Sequence, residues 1–201
     1  MKKVLAILSS CLFIGFAACD KLGDSQNNNG NKIGGGEKVQ PTVIYGNDDR
    51  LDLYQVAEQM WKDKATATVA LVRSSKLTST ATGYKISTSD YGPSMGLCTS
   101  EPFYDQVTSA YCSGSLIGPD IIMTAGHCIR TESSCKDTNF VFNFAYESAG
   151  AHPKTALKDD VYGCKEIIHT EVNSSNSTDY ALIRLDRKVV GHNPIPVRQS
   201  G

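Results

Sequence analysis

The chain has 201 residues, 40% of them hydrophobic, and a formal net charge of −1 at pH 7. This length is enough for one globular domain with a sizeable core. A charge this close to zero gives no electrostatic reason to expect nucleic acid or an anionic membrane surface as a partner. We therefore expect neither from composition.

The N-terminus predicts export. An apolar run over residues 4–18 follows Lys2 and Lys3 and ends in two alanines before Cys19. The run has the length of a signal-peptide core and is too short to span a bilayer. The alanines and Cys19 resemble a bacterial lipobox, so we interpret residues 1–18 as a lipoprotein signal peptide with a lipid on Cys19. This lipid would be the membrane contact. The alternative, a plain signal peptide with an incidental cysteine, also takes the protein out of the cytoplasm.

Residues 19–42 are rich in Asn, Gly, Lys and Ser and contain too little apolar surface to offset the entropy of ordering them. We interpret them as a flexible tether or a propeptide. Next, Leu53, Val56, Ala57 and Met60 recur with Trp61 at helical spacing. This stripe predicts one short amphipathic helix whose apolar side is packing surface.

The remaining chain is typical of β-structure. Short segments rich in Val, Ile, Tyr and Phe are separated by Gly, Pro, Asp and Ser. Six strands are predicted, at residues 66–72, 110–117, 121–125, 140–144, 161–169 and 180–185. Six short strands with turn signals between them favour an all-β barrel or sandwich.

The most informative stretch covers residues 112–128, with the sequence CSGSLIGPDIIMTAGHC. Pro119 and Asp120 supply turn chemistry between two apolar strands, which predicts a hairpin. The second strand ends in small residues that let His127 sit on a tight turn. Cys112 and Cys128 come to the open end of this hairpin, close enough in principle to form a bridge. In the chain-entropy description such a bridge stabilises the fold by about 3 kcal/mol.

These residues closely resemble the trypsin-like (chymotrypsin-fold) serine proteases, in which a Cys-x-Gly-x-Leu-Ile strand leads to a Thr-Ala-Ala/Gly-His-Cys segment. A second match is DYALIRL at residues 179–185, and His127 precedes Asp179 by 52 positions, a separation similar to that in the family. The resemblance implies that His127 is the general base and that Asp179 orients it. It also implies a six-stranded barrel, a peptide or protein substrate, and neither metal nor organic cofactor. His152, His169 and His192 match nothing and are expected at the surface or on strands.

Five cysteines remain beyond Cys11 and Cys19, and none forms a Cys-x-x-Cys pair. This spacing disfavours zinc or redox motifs, and an exported protein favours disulfides. We expect Cys112–Cys128 and Cys135–Cys164, which leaves Cys98 free or paired beyond Gly201.

A further resemblance concerns residues 43–50, VIYGNDDR, which are similar to the mature start of bacterial glutamyl-endopeptidase-like members of the superfamily. It implies that residues 19–42 are a propeptide and that cleavage before Val43 yields the processed N-terminus. An ordinary strand and turn is an equal alternative. On either interpretation, residues 43–201 would form the first half of a peptidase domain.

The departure from the family is the absence of a Gly-Asp/Asn-Ser-Gly-Gly segment from these 201 residues. The family's nucleophile and oxyanion hole belong to a second barrel, so we expect this chain alone not to hydrolyse peptides. Ser113 and Ser115 lie on the strand before the histidine, where the family has structural residues. The competing hypothesis is a non-catalytic single-barrel lipoprotein, or pseudo-protease, that binds peptides or a partner chain. A third is a site completed by a separate chain.

Overall fold

The computed structural model describes residues 48–200. Our interpretations of residues 1–47, including the signal peptide, Cys19, the tether and Val43, lie outside the described residues. The described part contains these strands: β1 (Thr68–Arg73), β2 (Leu77–Ser79), β3 (Gly83–Ile86), β4 (Ser89–Asp90), β5 (Val107–Thr108), β6 (Cys112–Gly118), β7 (Ile121–Thr124), β8 (Thr138–Val141), β9 (Thr155–Leu157), β10 (Val161–Asn173) and β11 (Thr178–Leu185).

Six of these strands close into an antiparallel barrel in the order β1-β6-β7-β11-β10-β8. They are the six segments expected from the sequence, with ends that differ by a few residues. Two small sheets, β2-β3-β9 and β4-β5, accompany the barrel. The short helices are α1 (Gln59–Ala65), α2 (Tyr91–Met95) and α3 (Glu132–Lys136). The all-β, six-stranded expectation is confirmed.

The barrel core follows the period of two that a strand imposes on its side chains. On β11, Ala181, Ile183 and Leu185 are at most 1% exposed, and the residues between them are partly exposed. They pack with the largest buried side chains of the other strands, such as Phe140 and Tyr162. A closed barrel with one filled interior leaves catalytic or binding residues to the strand ends and loops.

The amphipathic helix expected from Leu53 to Trp61 is wrong in extent and in burial. Leu53–Gln55 form a single 3-10 turn, Val56 and Glu58 have extended backbone angles, and α1 begins only at Gln59. Trp61 is 54% exposed. The β-branched Val56 has low helix propensity, which disfavours a helix through this position. The Trp61 ring has a partner at the surface, because the Nζ of Lys64 lies 4.7 Å from its centroid, so the ring is not buried.

Two disulfides join barrel elements, Cys112 to Cys128 and Cys135 to Cys164. These are the pairs that we expected. The first joins β6 to the turn after β7, and the second joins α3 to β10. We expected Cys98 to be a free thiol or to pair beyond Gly201, but the structure gives it a partner. Within residues 48–200, no helix has the length and apolar character needed to cross a membrane.

Candidate active site

Strand register brings His127 and Asp179 together. Thr124, the last residue of β7, pairs with Ala181 of β11. Asp179 lies two residues before Ala181, and His127 lies three residues after Thr124, so both are at the same end of the strand pair. The neighbouring pair Val172↔Asp179 holds Asp179 within the ladder between β10 and β11. The carboxylate is therefore presented by a paired strand and the imidazole by the turn that follows one.

Asp179 contacts His127 twice. The His127 backbone N–H donates to Oδ1 of Asp179 at 2.9 Å, and the ring Nδ1 lies 2.6 Å from Oδ2. The ring nitrogen donates here because an ionised carboxylate only accepts. A carboxylate held by two donors fixes both the position of the turn and the tautomer of the ring, and it leaves Nε2 as the basic nitrogen.

The pKa of the Asp179 carboxyl is lowered from its ordinary value. The largest cause is the side-chain hydrogen bond from His127, followed by the hydrogen bond from the His127 backbone. Desolvation acts in the opposite direction and is smaller. The carboxyl is therefore ionised at neutral pH, as the donor assignment requires.

Gly126 allows this turn to lie against β10 and β11. A Cβ built on Gly126 would overlap the carbonyl oxygen of Glu171 and would lie 2.8 Å from that of Tyr180. Both obstacles are backbone atoms and cannot rotate away. Glycine is therefore required at position 126, because the backbone there lies against the backbones of β10 and β11.

Side-chain hydroxyls fix the surrounding backbone. Thr124 donates to the carbonyl oxygen of Ser113 at 2.7 Å, which links β7 to β6. Thr170 of β10 donates to the carbonyl oxygen of Ile129 at 3.0 Å, just after the histidine turn. Together with the Cys112–Cys128 disulfide, these bonds hold the histidine turn from both sides. We did not predict the two threonines, since a hydroxyl within a strand sequence carries no distinguishing signal.

The ring of His127 is 55% exposed, and Nε2 has no hydrogen bond to any described residue. No serine hydroxyl within residues 48–200 is therefore bonded to it. Three residues of types that bind metals lie together here among the described residues. The Cys112 and Cys128 sulfurs lie within 4.8 Å of a His127 ring nitrogen. The two sulfurs are bonded to each other, so they offer no thiolate to a metal.

The other three histidines have distinct environments. His169 is about half exposed and stacks on Tyr180. His152 bonds to the hydroxyl of Tyr146 at 2.7 Å. The ring of His192 is only 6% exposed, so the expectation of a surface or strand residue is wrong for it. The Pro/Gly-containing sequence around His192 has no strand or helix period, and its burial follows from contacts distant in the chain.

Comparison with known proteins identifies one family. The sequence model of the trypsin family matches residues 94–200, which is more than half of the chain. Among solved structures, that of the Vibrio cholerae VesB protease is similar, with 16% sequence identity and a TM-score of 0.35. That match covers 65% of this chain and 29% of the VesB chain, so the present sequence spans less than a third of that structure's length. No curated protein sequence matches. On the family match, the chain belongs to the trypsin family.

Proposed function

We propose that this chain provides the general base and the orienting carboxylate of a serine endopeptidase that cleaves peptide bonds through an acyl-enzyme. The observation that carries the proposal is the double hydrogen bond from His127 to Asp179. Membership of the trypsin family supports a hydrolase of peptide or protein substrates.

In the proposed mechanism, Nε2 of His127 takes the proton of a serine hydroxyl as the oxygen attacks the scissile carbonyl. Asp179 keeps the proton on Nδ1 and stabilises the imidazolium that forms. The imidazolium then gives its proton to the leaving amine, and water repeats the sequence in deacylation. The serine and the oxyanion-hole donors would come from polypeptide outside these 201 residues.

The test uses the native product and a fluorophosphonate probe, which forms a covalent bond with an activated serine. We expect labelling that is lost in His127→Ala. Reading the coding DNA beyond the Gly201 codon provides an independent check, since the proposal requires a Gly-Asp/Asn-Ser-Gly-Gly segment there. A stop codon at that position, together with no labelling of the processed protein, would exclude a complete enzyme on one chain.

A second candidate is a non-catalytic, partner-binding member of the family. It is favoured by one observation, the exposed His127 Nε2 without a hydroxyl partner among residues 48–200. Under this hypothesis, the native product would not react with the fluorophosphonate. If a separate chain completes the site, reactivity would return on mixing with a fragment that carries the second barrel.

We also propose that the protein is exported and held at the bacterial cell envelope by a lipid on Cys19. The apolar segment over residues 4–18 supports export, and the two disulfides are typical of oxidising compartments. Cleavage before Val43 would release the folded part from the lipid. Incorporation of labelled palmitate, with loss in Cys19→Ala, is the direct measurement.

A further inference from the structure

The Cys112–Cys128 disulfide lies against the His127 ring. The two sulfurs and a ring nitrogen of His127 all lie within 4.8 Å of one another. Cys128 directly follows His127 in the chain, and the disulfide brings Cys112 to it from β6. While the sulfurs are bonded to each other they cannot ligate a metal. The dithiol form of the same pair would place two soft ligands beside an imidazole.

The backbone at both cysteines is held by hydrogen bonds that do not depend on the sulfur–sulfur bond. Cys112 pairs with Leu71 in the β1–β6 ladder. The Cys128 N–H donates to the carbonyl oxygen of Ala125 at 3.1 Å. The Cα atoms of the two cysteines are 6.2 Å apart. Reduction would therefore let the sulfurs separate while the residues that carry them stay side by side.

The His127 ring is oriented as a metal ligand requires. Its Nδ1 lies 2.6 Å from Oδ2 of Asp179, and its Nε2 has no hydrogen bond to any residue in the range 48–200. A histidine that ligates a metal through one nitrogen commonly donates its other N–H to a carboxylate, which fixes the ring and makes it a stronger ligand. The ring is 55% exposed, so water can reach a metal bound to Nε2.

The donor set selects zinc. Thiolate and imidazole ligands suit Zn²⁺, whereas Ca²⁺ and Mg²⁺ take oxygen ligands. Two thiolates also balance the two positive charges of the ion. Three protein ligands and one open position for water complete a tetrahedral shell, a composition that occurs among zinc sites.

The dithiol form is a state that the chain passes through and can return to. Cysteines enter a protein as thiols and are oxidised to disulfides afterwards. In the folded protein Cys112 is half-buried and lines a cavity of about 350 Å³, whereas Cys128 is 6% exposed. A small dithiol therefore has its access at the Cys112 sulfur, with the Cys128 sulfur as the leaving thiolate.

We propose that Cys112, Cys128 and His127 form a redox-controlled zinc site that exists only when the disulfide is reduced. In the reduction, the S–S bond breaks and the two sulfurs take two electrons and two protons from a dithiol, which closes to its own disulfide. Zn²⁺ then displaces both thiol protons and takes Nε2 of His127 as its third protein ligand. Exchange with an oxidising disulfide compound re-forms the S–S bond, releases Zn²⁺ and leaves that compound as two thiols.

Zinc on Nε2 would prevent His127 from accepting the proton of a serine hydroxyl. Formation of the disulfide would then free the base, so that oxidation and activity are coupled. This inhibition rests on the proposed function, but metal binding does not, because it is measured without substrate or serine. Absence of fluorophosphonate labelling would count against the proposed function and would leave the metal measurement unaffected.

The test is the binding of Co²⁺, whose absorption reports its ligands, to the full chain. One sample is reduced with dithiothreitol and freed of it by gel filtration under nitrogen, and the other stays oxidised. We expect a thiolate-to-cobalt charge-transfer band and the visible bands of tetrahedral Co²⁺ in the reduced chain only. Zn²⁺ should abolish both signals by displacement, and an oxidising disulfide compound should release the metal.

Variants assign the ligands. In the reduced chain, Asp179→Asn should weaken Co²⁺ binding about 10–100-fold through loss of the carboxylate behind the ring, and His127→Ala should weaken it further. His169→Ala is the matched control, since His169 is also about half exposed but is not among the three grouped residues, and it should bind as wild type does. Cys135→Ala/Cys164→Ala should keep the charge-transfer band, which excludes thiols of the second disulfide.

Three results would overturn the proposal. The first is a reduced chain that keeps its β-sheet circular dichroism and shows no charge-transfer band. The second is equal Co²⁺ affinity in His127→Ala and wild type, which would mean that the thiols bind the metal without the ring. The third is a reduced chain that loses its β-sheet signal and does not regain it with Zn²⁺, since the site requires the folded backbone.

Discussion

One oxygen of the Asp179 carboxylate accepts the backbone N–H of His127 at 2.9 Å, and the other accepts Nδ1–H of the same residue at 2.6 Å. Asp179→Asn keeps the size of the side chain, but its amide has one acceptor for two donors and lacks the negative charge. Under the proposed function, we expect the kcat of the native product to fall about 10⁴-fold, because the imidazolium loses its stabilisation and the ring is no longer held in one tautomer.

The matched control for that variant is Asp186→Asn, which removes an exposed ion pair with Arg187 on the same barrel. Exposed pairs contribute little to stability, so both activity and stability should stay close to wild type. Steady-state kinetics on a peptide substrate separates the two variants. Full activity in Asp179→Asn would remove Asp179 from the proposed mechanism.

The lowered pKa of the Asp179 carboxyl predicts a pH dependence of stability. Its largest cause is the hydrogen bond from the His127 side chain, so His127→Ala should move the pKa back toward the ordinary value. Because the folded-state pKa is depressed, the ionised carboxylate stabilises the fold above the unfolded-state pKa of about 3.9. That contribution is lost as the pH falls through the folded-state pKa.

Two measurements check this dependence. A ¹³C NMR titration of the Asp179 carboxyl should show a lower midpoint in wild type than in His127→Ala. Urea unfolding should show a stability difference between the two proteins at pH 6 that shrinks below about pH 4. A difference that grows on acidification would contradict the assignment of the carboxylate as the acceptor.

Sequence pattern predicted six strands, because each falls on a short segment rich in Val, Ile, Tyr or Phe with turn residues beside it. The pattern left a barrel and a sandwich open, and the family resemblance implied the barrel. The His127–Asp179 pair was predictable because both residues lie within family motifs. Strand β9 could not be predicted, since three residues with one partly buried side chain give no period. The helical spacing of Leu53 to Trp61 was misleading, because spacing alone does not report whether another element covers the apolar side.

Register also explains which residues of the β11 motif reach the core. Leu182 and Leu185 are three positions apart, and a strand directs such residues to opposite sides. Leu185 is buried and Leu182 is only partly so, with Ala181 and Ile183 in the core instead. The burial of His192 likewise depends on residues far away in the chain, at Thr66 and Asp160.

Gly126→Ala should destabilise the fold and displace the histidine turn. The added Cβ would overlap the Glu171 carbonyl oxygen and approach that of Tyr180 to 2.8 Å, and neither backbone atom has room to move within the β10–β11 ladder. A forced shift in a well-packed site typically costs about 1–3 kcal/mol. Urea unfolding and the NMR shift of the Asp179 carboxyl together measure both effects.

The control for this glycine is Gly118→Ala. A Cβ at Gly118 would meet its nearest atom, Cβ of Ile121, at 3.4 Å, which is an ordinary contact. Its unfolding free energy should stay within about 1 kcal/mol of wild type, since no group has to shift. Equal destabilisation at both positions would show that backbone flexibility, and not the close approach, accounts for the glycine.

Contacts of His192 link the segment after β11 to the rest of the fold. Its Nδ1 donates to the Thr66 carbonyl oxygen at 2.8 Å, its Nε2 lies 3.2 Å from Oδ1 of Asp160, and its ring stacks on Phe142 at 4.2 Å. Both partners only accept, so both ring nitrogens carry protons when the two bonds form.

His192→Phe keeps the stacking and removes both donors, which leaves a carbonyl and a carboxylate oxygen without them. We expect a loss of about 1–3 kcal/mol in the free energy of unfolding. His169→Phe is the exposed counterpart, since that ring also stacks on an aromatic residue, Tyr180, and is about half exposed. It should change stability by less than about 0.5 kcal/mol. Similar losses in both variants would refute the role of the buried donors.

The two disulfides close loops for which chain entropy predicts a similar stabilisation, but they differ in their distance from the His127–Asp179 pair. Cys112–Cys128 and Cys135–Cys164 have sequence separations of 16 and 29, for which chain entropy gives about 3 and 3.5 kcal/mol. Replacing either pair by alanines should therefore lower stability to a comparable degree. Cys128 directly follows His127, so only loss of the first disulfide should also loosen the histidine turn.

The distinguishing measurement is the NMR shift of the Asp179 carboxyl in the two double variants, under conditions where both remain folded. In Cys112→Ala/Cys128→Ala the shift should move toward that of His127→Ala, because a less restrained turn holds its two donors less firmly against the carboxylate. In Cys135→Ala/Cys164→Ala it should remain at the wild-type value. The reverse pattern would show that the α3–β10 connection controls the histidine turn. Thr170 of β10, which donates to the carbonyl oxygen of Ile129, would then be the residue to substitute next.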